Sequence, residues 1–127
     1  MTVPALKVTK GDRDRLASAA IAALRHERRS SASASMLLSE VARAVVIESD
    51  TPPPHVVAPH RDVEIHDNIT NTNRRLQLVY PGEDDSDPAA VSVLSPLGAA
   101  LIGLSVGDTF DWCNVYGDRH SVTVLRV

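Results

Sequence analysis

Three consecutive prolines, Pro52, Pro53 and Pro54, separate two segments that differ in hydrophobic periodicity. Proline lacks a backbone N–H and fixes φ, so a run of three stops a helix and holds the chain extended. Before the run, apolar residues recur about every four positions, as in amphipathic helices. After it they alternate with polar residues, as in half-buried strands. The sequence therefore predicts a helical unit over residues 1–50 and a β-rich domain over residues 51–127.

The first segment contains two amphipathic runs. A helix is predicted over residues 12–27, capped by Thr9 or Asp12, and an Arg- and Ser-rich turn at residues 28–35 leads to a second helix. The apolar stripes are Leu16, Ala20 and Leu24 with Ala17 and Ile21, then Leu37, Val41 and Val45. Two such helices joined by a short loop form an antiparallel hairpin. Because alanine-rich stripes bury little area, we expect the hairpin to lean on a partner or to form a weak homo-oligomer.

The second segment reads as strands with one short helix. Alternation places buried positions at Val63 and Ile65, at Leu76, Leu78 and Tyr80, and at Val122 and Val124. A helix at 97–101 begins with Ser95 and Pro96 and ends at Gly103, and a turn then leads into a strand with Phe110 and Trp112. The predicted fold is α+β: a short N-terminal helical hairpin, then a small antiparallel β-sheet domain with one short helix.

The charge is unevenly distributed between the two segments. Residues 1–50 hold eight Lys/Arg against six acids, a net of +2, and residues 51–127 hold five against ten, a net of −5, which together give the formal −3 of the chain. An acidic surface repels nucleic acid, because nucleic-acid affinity depends on cations that neutralise phosphates. We therefore expect no direct sequence-specific nucleic-acid binding, and a basic protein patch is the more natural partner.

The titratable residues suggest neither a metal site nor a catalytic site. Cys113 is the single cysteine, so no internal disulfide can form, and we expect it to be a small core residue. None of the five histidines has the paired spacing of a zinc site. No cofactor is expected. No apolar run approaches the roughly 18 residues of a membrane span, and charges stand where a signal peptide would be apolar, so the expected location is the cytoplasm.

A resemblance to a known family rests on the segment Val91 to Trp112, VSVLSPLGAALIGLSVGDTFDW. It is similar to the C-terminal domain of the GreA/GreB transcription elongation factors, in which a strand runs into Ser-Pro, a short helix, Leu-Ile-Gly and a Gly-Asp-like turn. It resembles the Rnk branch more closely, the regulators of nucleoside diphosphate kinase, since the similarity extends through PHVV at 54–57, DVEI at 62–65 and LVYP at 78–81.

The resemblance implies an FKBP-like C-terminal domain that docks on the rim of the secondary channel of RNA polymerase core, with the hairpin directed toward the channel. In Gre factors the Ser-Pro segment lies at the docking surface. At matching positions of this sequence it becomes Ser95, Pro96 and Leu97. Ser95 as a helix cap and Pro96 in the first helical turn also have a purely structural interpretation, and both roles are expected together.

The hairpin tip departs from the Gre pattern. Gre factors carry acidic residues there that help to hold a metal ion for RNA cleavage, whereas this tip reads RHERRSSASAS. Glu27 is its one carboxylate, among Arg25, His26, Arg28 and Arg29, and a hard cation such as Mg²⁺ requires converging oxygen ligands. We therefore expect a regulator that does not stimulate transcript cleavage. The default interpretation of the basic cluster is a solvated helix end.

Two other functions remain open at this stage. An FKBP-like fold elsewhere supports peptidyl-prolyl isomerase activity, although fold alone does not determine function. A dimerisation or interaction module without polymerase contact would use the alanine-rich hairpin instead. The acidic loop that contains Glu83, Asp84, Asp85 and Asp87 is taken as a solubilising loop without an assigned role.

Overall fold

The computed structural model describes residues 6–26, 31–83, 87–113 and 116–127, with the backbone alone for His26 and residues 31–33. The architecture is mixed α+β, with a helical hairpin before a curled sheet, as the sequence predicts. In chain order the elements are β1 (Lys7–Thr9), α1 (Lys10–His26), α2 (Ser31–Arg43), β2 (Val45–Ile47), β3 (Asp62–Asp67), β4 (Thr72–Val79), β5 (Ala90–Ser92), α3 (Pro96–Leu101), β6 (Thr109–Cys113) and β7 (Arg119–Arg126).

A short two-stranded sheet joins the two ends of the hairpin at its base. β1 leads into α1, β2 leaves α2, and the two strands pair in parallel with Val8 opposite Val46. The hydroxyl of Thr9 accepts a hydrogen bond from the backbone N–H of Asp12 at 3.2 Å, which confirms Thr9 as the cap of α1. Because both ends of the hairpin are paired, the helices are held at the base as well as along their packed faces.

The buried stripe of α1 differs from the predicted one at its C-terminal end. Leu16 and Ala20 are buried as expected, but the third buried position is Ala23, while Ile21 and Leu24 are 41% and 40% exposed. At 100° per residue, a position seven residues after Leu16 returns to within about 20° of it, whereas one eight residues later is about 80° away. Residues spaced four apart along α1 therefore no longer lie on its buried face after two turns.

The second helix also differs from its predicted limits. It begins at Ser31, inside the predicted turn of residues 28–35, and ends at Arg43. Val45, expected on its apolar stripe, lies in β2 and is exposed. The chain leaves the helix at Ala44, and the N–H of Val45 donates to the carbonyl of Leu6 at 2.7 Å, so pairing with the start of the chain replaces another helical turn.

The main sheet has the strand order β5-β4-β3-β7-β6 in the described part of the chain. Three of its strand pairs are antiparallel, but β4 and β5 are parallel, which corrects the expectation of a wholly antiparallel sheet. A parallel pair requires the chain to travel back before it pairs. The return is short here, because β5 pairs only with the last three residues of β4, Gln77 to Val79.

One face of this sheet carries the core. The predicted inward positions of β3, β4 and β7 are buried, as the alternation required. Helix α3 packs on this face through Ala99, Ala100 and Leu101. The same hydrophobic cluster continues into the hairpin through residues such as Leu16 and Leu37, so the core runs through both predicted units. The boundary at residue 51 stays a prediction.

Polar contacts also join the hairpin to the sheet domain. The N–H of Lys7 donates to the carbonyl of Gly103 at 2.9 Å. The guanidinium of Arg15 lies 4.1 Å from the ring centroid of Tyr80, and the Tyr80 hydroxyl donates to the Asp12 carboxylate at 3.4 Å. Burial, helped by Asp12, raises the pKa of Tyr80 well above its ordinary value, so this hydroxyl remains a donor at all physiological pH values.

The triproline segment is fixed from one side by an arginine. The guanidinium of Arg61 donates to the carbonyls of Pro52, Pro53 and Val56. The carbonyl of Pro53 also accepts from the N–H of Val56 at 3.2 Å. Arg61 supplies further donors to a segment whose prolines have no N–H groups of their own. Among the described residues, no helix combines the length and the apolar character that crossing a bilayer requires.

We predict that Gly98→Ala destabilises the chain. A β-carbon at position 98 would lie 2.0 Å from the carbonyl oxygen of Ser92, which is backbone and cannot rotate away. The clash should lower the free energy of unfolding by about 1 to 3 kcal/mol, the usual cost of overpacking. Urea unfolding followed by circular dichroism measures the change.

Gly11→Ala provides the matched control. Gly11 lies in α1, and a β-carbon there would have no atom within 4 Å apart from its chain neighbours and the backbone of its own helix. Because alanine favours helix over glycine, this variant should unfold at the same or a slightly higher urea concentration. Equal destabilisation of both variants would contradict the close approach of α3 to Ser92.

Candidate protein-docking groove

The core face of the sheet extends beyond the area that α3 covers, and the uncovered part is the floor of a groove of about 400 Å³. Side chains alternate between the two faces of a strand, so residues two apart share a face. The floor accordingly takes one pair from each of three adjacent strands: Ile65 and Asp67 of β3, Thr72 and Arg74 of β4, His120 and Val122 of β7.

Ser95, Pro96 and Leu97 form one wall of this groove. The Ser95 hydroxyl accepts from the N–H of Gly98 at 3.0 Å and donates to the carbonyl of Ser92 at 2.7 Å, so Ser95 caps α3 as predicted. Pro96 stands in the first helical turn with an exposed ring, and Leu97 is half-buried against the core. The three residues thus have their structural role and also border a concave surface.

Trp112 lines the groove beside His120, its partner across the β6–β7 ladder. The indole and imidazole rings stack at 5.1 Å with an interplanar angle of 20°. The indole Nε1–H is buried and has no acceptor among the described residues. Sequence reasoning placed Trp112 on a strand but gave it no role. Its alternation with Phe110 was the available signal, since it puts both rings on the core face.

The charged groups of the groove are not equivalent. The Asp67 carboxylate accepts from the backbone N–H groups of Ile69 at 2.9 Å and Thr70 at 3.1 Å, and the hydrogen bond from Thr70 is the main reason why the pKa of Asp67 is lowered. Arg74 is exposed and forms no ion pair with any described residue. The groove therefore offers an unpaired cation beside a carboxylate that is already hydrogen-bonded.

The other predicted site, the hairpin tip, is remote in sequence from the groove and contributes no described residue to its lining. Arg25 is exposed near the end of α1, and the backbone of His26 ends that helix. Glu27, Arg28 and Arg29 lie outside the described residues. The structure thus describes only the first part of this basic cluster.

Two further expectations concern the acidic loop and Cys113. Glu83 pairs with His60 at 2.9 Å and accepts from the N–H of Tyr80 at 2.8 Å, and these hydrogen bonds, that of His60 first, lower the pKa of Glu83. Asp87 accepts from the N–H of Ala89 at 2.9 Å, so both described acids organise the loop, whereas Asp84 and Asp85 lie outside the described residues. Cys113 is exposed at the end of edge strand β6, so its expected place in the core was wrong.

Comparison with known proteins identifies the class to which this fold belongs. Residues 52–127 match the family model described as Transcription elongation factor, GreA/GreB, C-term. The chain belongs to the GreA/GreB family. A structure described as a prokaryotic transcription elongation factor GreA/GreB from Nitrosomonas europaea superimposes with a TM-score of 0.70 at 28% identity, over 97% of both chains.

Within the family, the sequence is similar to the regulator of nucleoside diphosphate kinase from Escherichia coli K12, with 34% identity over 79 residues, 62% of this chain. The match spans 58% of that protein's length. The transcription elongation factor GreA of Thermodesulfovibrio yellowstonii is 36% identical over 72 residues, 57% of this chain and 46% of that protein. The resemblance to the Rnk branch is confirmed. These relatives are named as regulatory factors and not as enzymes.

We predict that Asp67→Asn flattens the pH dependence of stability in the acidic range. The folded state lowers the pKa of Asp67, so the ionised carboxylate stabilises the fold above the ordinary aspartate pKa, near 3.8, and this contribution is lost as the pH falls through the lowered value. Thermal unfolding from about pH 2 to pH 6 measures it. Asp62→Asn, at the exposed start of the same strand, removes the same charge and is the matched control.

Proposed function

We propose that this chain is a transcription regulator that binds RNA polymerase core at the secondary channel through the groove beside Ser95, Pro96 and Leu97. The observation that carries the proposal is the position of this tripeptide. It forms the wall of the groove in the part of the chain that matches the GreA/GreB C-terminal family. A preformed concave surface that combines apolar side chains with polar groups is a common form of a binding site.

The hairpin supports a role without transcript cleavage. Helix α1 has 17 residues, which at 1.5 Å each give an arm of about 25 Å. Glu27 is the single carboxylate in the tip sequence from Arg25 to Arg29, so the arm brings no pair of acidic ligands to a catalytic metal. A bound copy would occupy the channel entrance without supplying the groups that cleavage requires.

The proposal includes the interpretation of the C-terminal sheet, which curls around α3, as an FKBP-like domain. This interpretation does not favour a prolyl isomerase. Prolyl isomerases of that fold hold proline in an aromatic-lined pocket, whereas the described groove carries the indole of Trp112 and the imidazole of His120 among largely aliphatic and polar side chains. Such a groove is better suited to binding a protein surface than to prolyl isomerisation.

The first test is retention of core RNA polymerase on the immobilised full chain, with Pro96→Asp as the variant. The exposed Pro96 would meet the partner directly, and a buried carboxylate at the interface should weaken binding by about tenfold or more. The fold should survive, because an acid is favoured at a helix N-terminus. Surface plasmon resonance measures the affinity, and circular dichroism measures the fold.

Pro88→Asp is the control for that variant, since Pro88 is an exposed proline in a turn outside the groove. It should bind polymerase as the unchanged chain does. If Pro96→Asp lowered binding and thermal stability in equal measure, the purely structural interpretation of Pro96 would replace docking.

A second test concerns cleavage. Two proteins that use one docking surface exclude each other, so this chain should reduce Gre-stimulated cleavage in stalled complexes as its concentration rises, without cleaving RNA itself. The double variant Arg28→Asp, Arg29→Glu separates charge from reach. If the helical arms are too short, the double variant still does not stimulate RNA cleavage. If only the charge of the tip prevented cleavage, the double variant stimulates it. Cleavage by the unchanged chain above the intrinsic rate of the polymerase would refute the proposal.

A further inference from the structure

One side of the helical hairpin carries apolar side chains that are open to solvent in the described structure. Ala17 of α1 and Leu38 and Ala42 of α2 border a groove of about 270 Å³ between the two helices. At 100° per residue, Ile21 and Leu24 lie within about 40° and 20° of Ala17 around α1, so they continue the same side toward the tip. We call this side the outer hairpin face.

The exposed side chains of this face are not those that hold the hairpin together. Leu16, Ala20 and Ala23 of α1 are buried in the hydrophobic core, whereas Ile21 and Leu24 keep exposed fractions of 41% and 40%. A single exposed apolar side chain is ordinary in a folded protein, but neighbouring ones beside a groove are typical of a contact surface. The outer hairpin face is therefore suited to a protein contact.

The charges along α1 indicate which protein covers this face. Asp14 lines the groove at the base end, and Arg25 is exposed near the tip, about 16 Å further along the helix. Both lie within about 40° of Ile21 around α1, so they share one edge of the face. Among the described residues, Asp14 has an exposed contact of 3.5 Å with Arg13, and Arg25 forms no ion pair.

The sequence around these two residues has the same polarity. The tip, residues 25–29, holds three arginines and one glutamate, a net of +2. At the base, residues 10–15 hold three cations and two acids, and Glu48 and Asp50 follow β2, which gives a net of −1. A second copy packed in the antiparallel sense brings each acidic base to a basic tip. Parallel packing would instead place like charges together.

We propose that the outer hairpin face binds a second copy of this chain in an antiparallel arrangement with twofold symmetry. Ile21 and Leu24 of each copy pack against the hairpin groove of the other, and Asp14 of each copy pairs with Arg25 of the other. The four helices then form an antiparallel bundle, in which amphipathic hairpins cover their apolar sides. The proposal does not depend on polymerase binding.

The size of the outer hairpin face determines how strong this association is. Its length is about 25 Å, from the 17 residues of α1, and its width is about 20 Å, the span of two packed helices. Each copy therefore covers about 500 Å², and the total of about 1,000 Å² lies at the lower limit of specific interfaces. We expect a reversible dimer with a dissociation constant of roughly 10 to 100 µM.

Analytical ultracentrifugation of the full chain from about 5 to about 500 µM tests the association. The mass should rise with concentration from 13.6 kDa toward twice that value. Ile21→Gln should weaken the dimer by about tenfold or more, since it removes apolar contacts from both copies. Ile69→Gln is the matched control, because Ile69 is 53% exposed in the loop after β3, outside the hairpin. A monomer at every concentration, or equal effects of the two variants, overturns the proposal.

Charge reversal tests the antiparallel arrangement. Asp14→Arg and Arg25→Asp, made singly, each put like charges at both contacts and should weaken the dimer by about tenfold. The two changes combined in one chain exchange the charges and should restore the dimer. Circular dichroism monitors the helices of all three variants. Single variants that dimerise as the unchanged chain does, or a combined variant that stays as weak as the single ones, overturn the proposal.

Core RNA polymerase is the other candidate occupant of this face. If the unchanged chain stays monomeric and Ile21→Gln lowers the retention of core polymerase, polymerase covers the face and the proposal fails. If the chain dimerises and Ile21→Gln is retained on polymerase as the unchanged chain is, the face belongs to the second copy and the proposal stands.

Discussion

The carbonyl of Ser92 occupies the space that the β-carbon of any other residue at position 98 would need. The same carbonyl accepts from the N–H and the hydroxyl of Ser95, so the end of β5 and the start of α3 are joined by hydrogen bonds and by the lack of a side chain at Gly98. This close approach fixes where α3 lies on the sheet. The helix covers one part of the core face, and the rest becomes the groove.

The position of the hairpin also depends on α3 and the sheet. Its first strand bonds to Gly103, two residues beyond the end of α3, and its first helix contacts Tyr80, the residue that follows β4. A β-carbon at position 103 would lie 2.9 Å from the β-carbon of Leu6, so a small residue with positive φ is needed where the two parts touch. With its alanine-rich stripe, the hairpin gains stability from this junction, which short helices rarely have alone.

Much of this fold follows from periodicity and capping. Strict alternation identified the buried positions of β3, β4 and β7, and Ser95, Pro96 and Gly103 set the limits of α3 to within a residue. The three-residue strands β1 and β2 are too short to show a period. The parallel pairing of β5 depends on the path of the preceding loop, which no local pattern encodes. The buried stripe of α1 follows the helical angle of about 100° per residue and not a fixed spacing of four residues. The wall of the groove was predictable from the resemblance, but its floor and the unpaired indole depend on which strands become neighbours.

The difference between the charge of the domain and the charge of its groove has a physical origin. Net charge predicts a basic partner only if the acids act together at the binding surface. At physiological ionic strength the Debye length is about 8 Å, so exposed charges on the far face of the sheet or in a distant loop contribute little to the field in the groove. What acts there is the nearest pair, the carboxylate of Asp67 and the guanidinium of Arg74, whose charges are opposite. The residues that border the groove, rather than the net charge of −5 over residues 51–127, therefore determine which partner it favours.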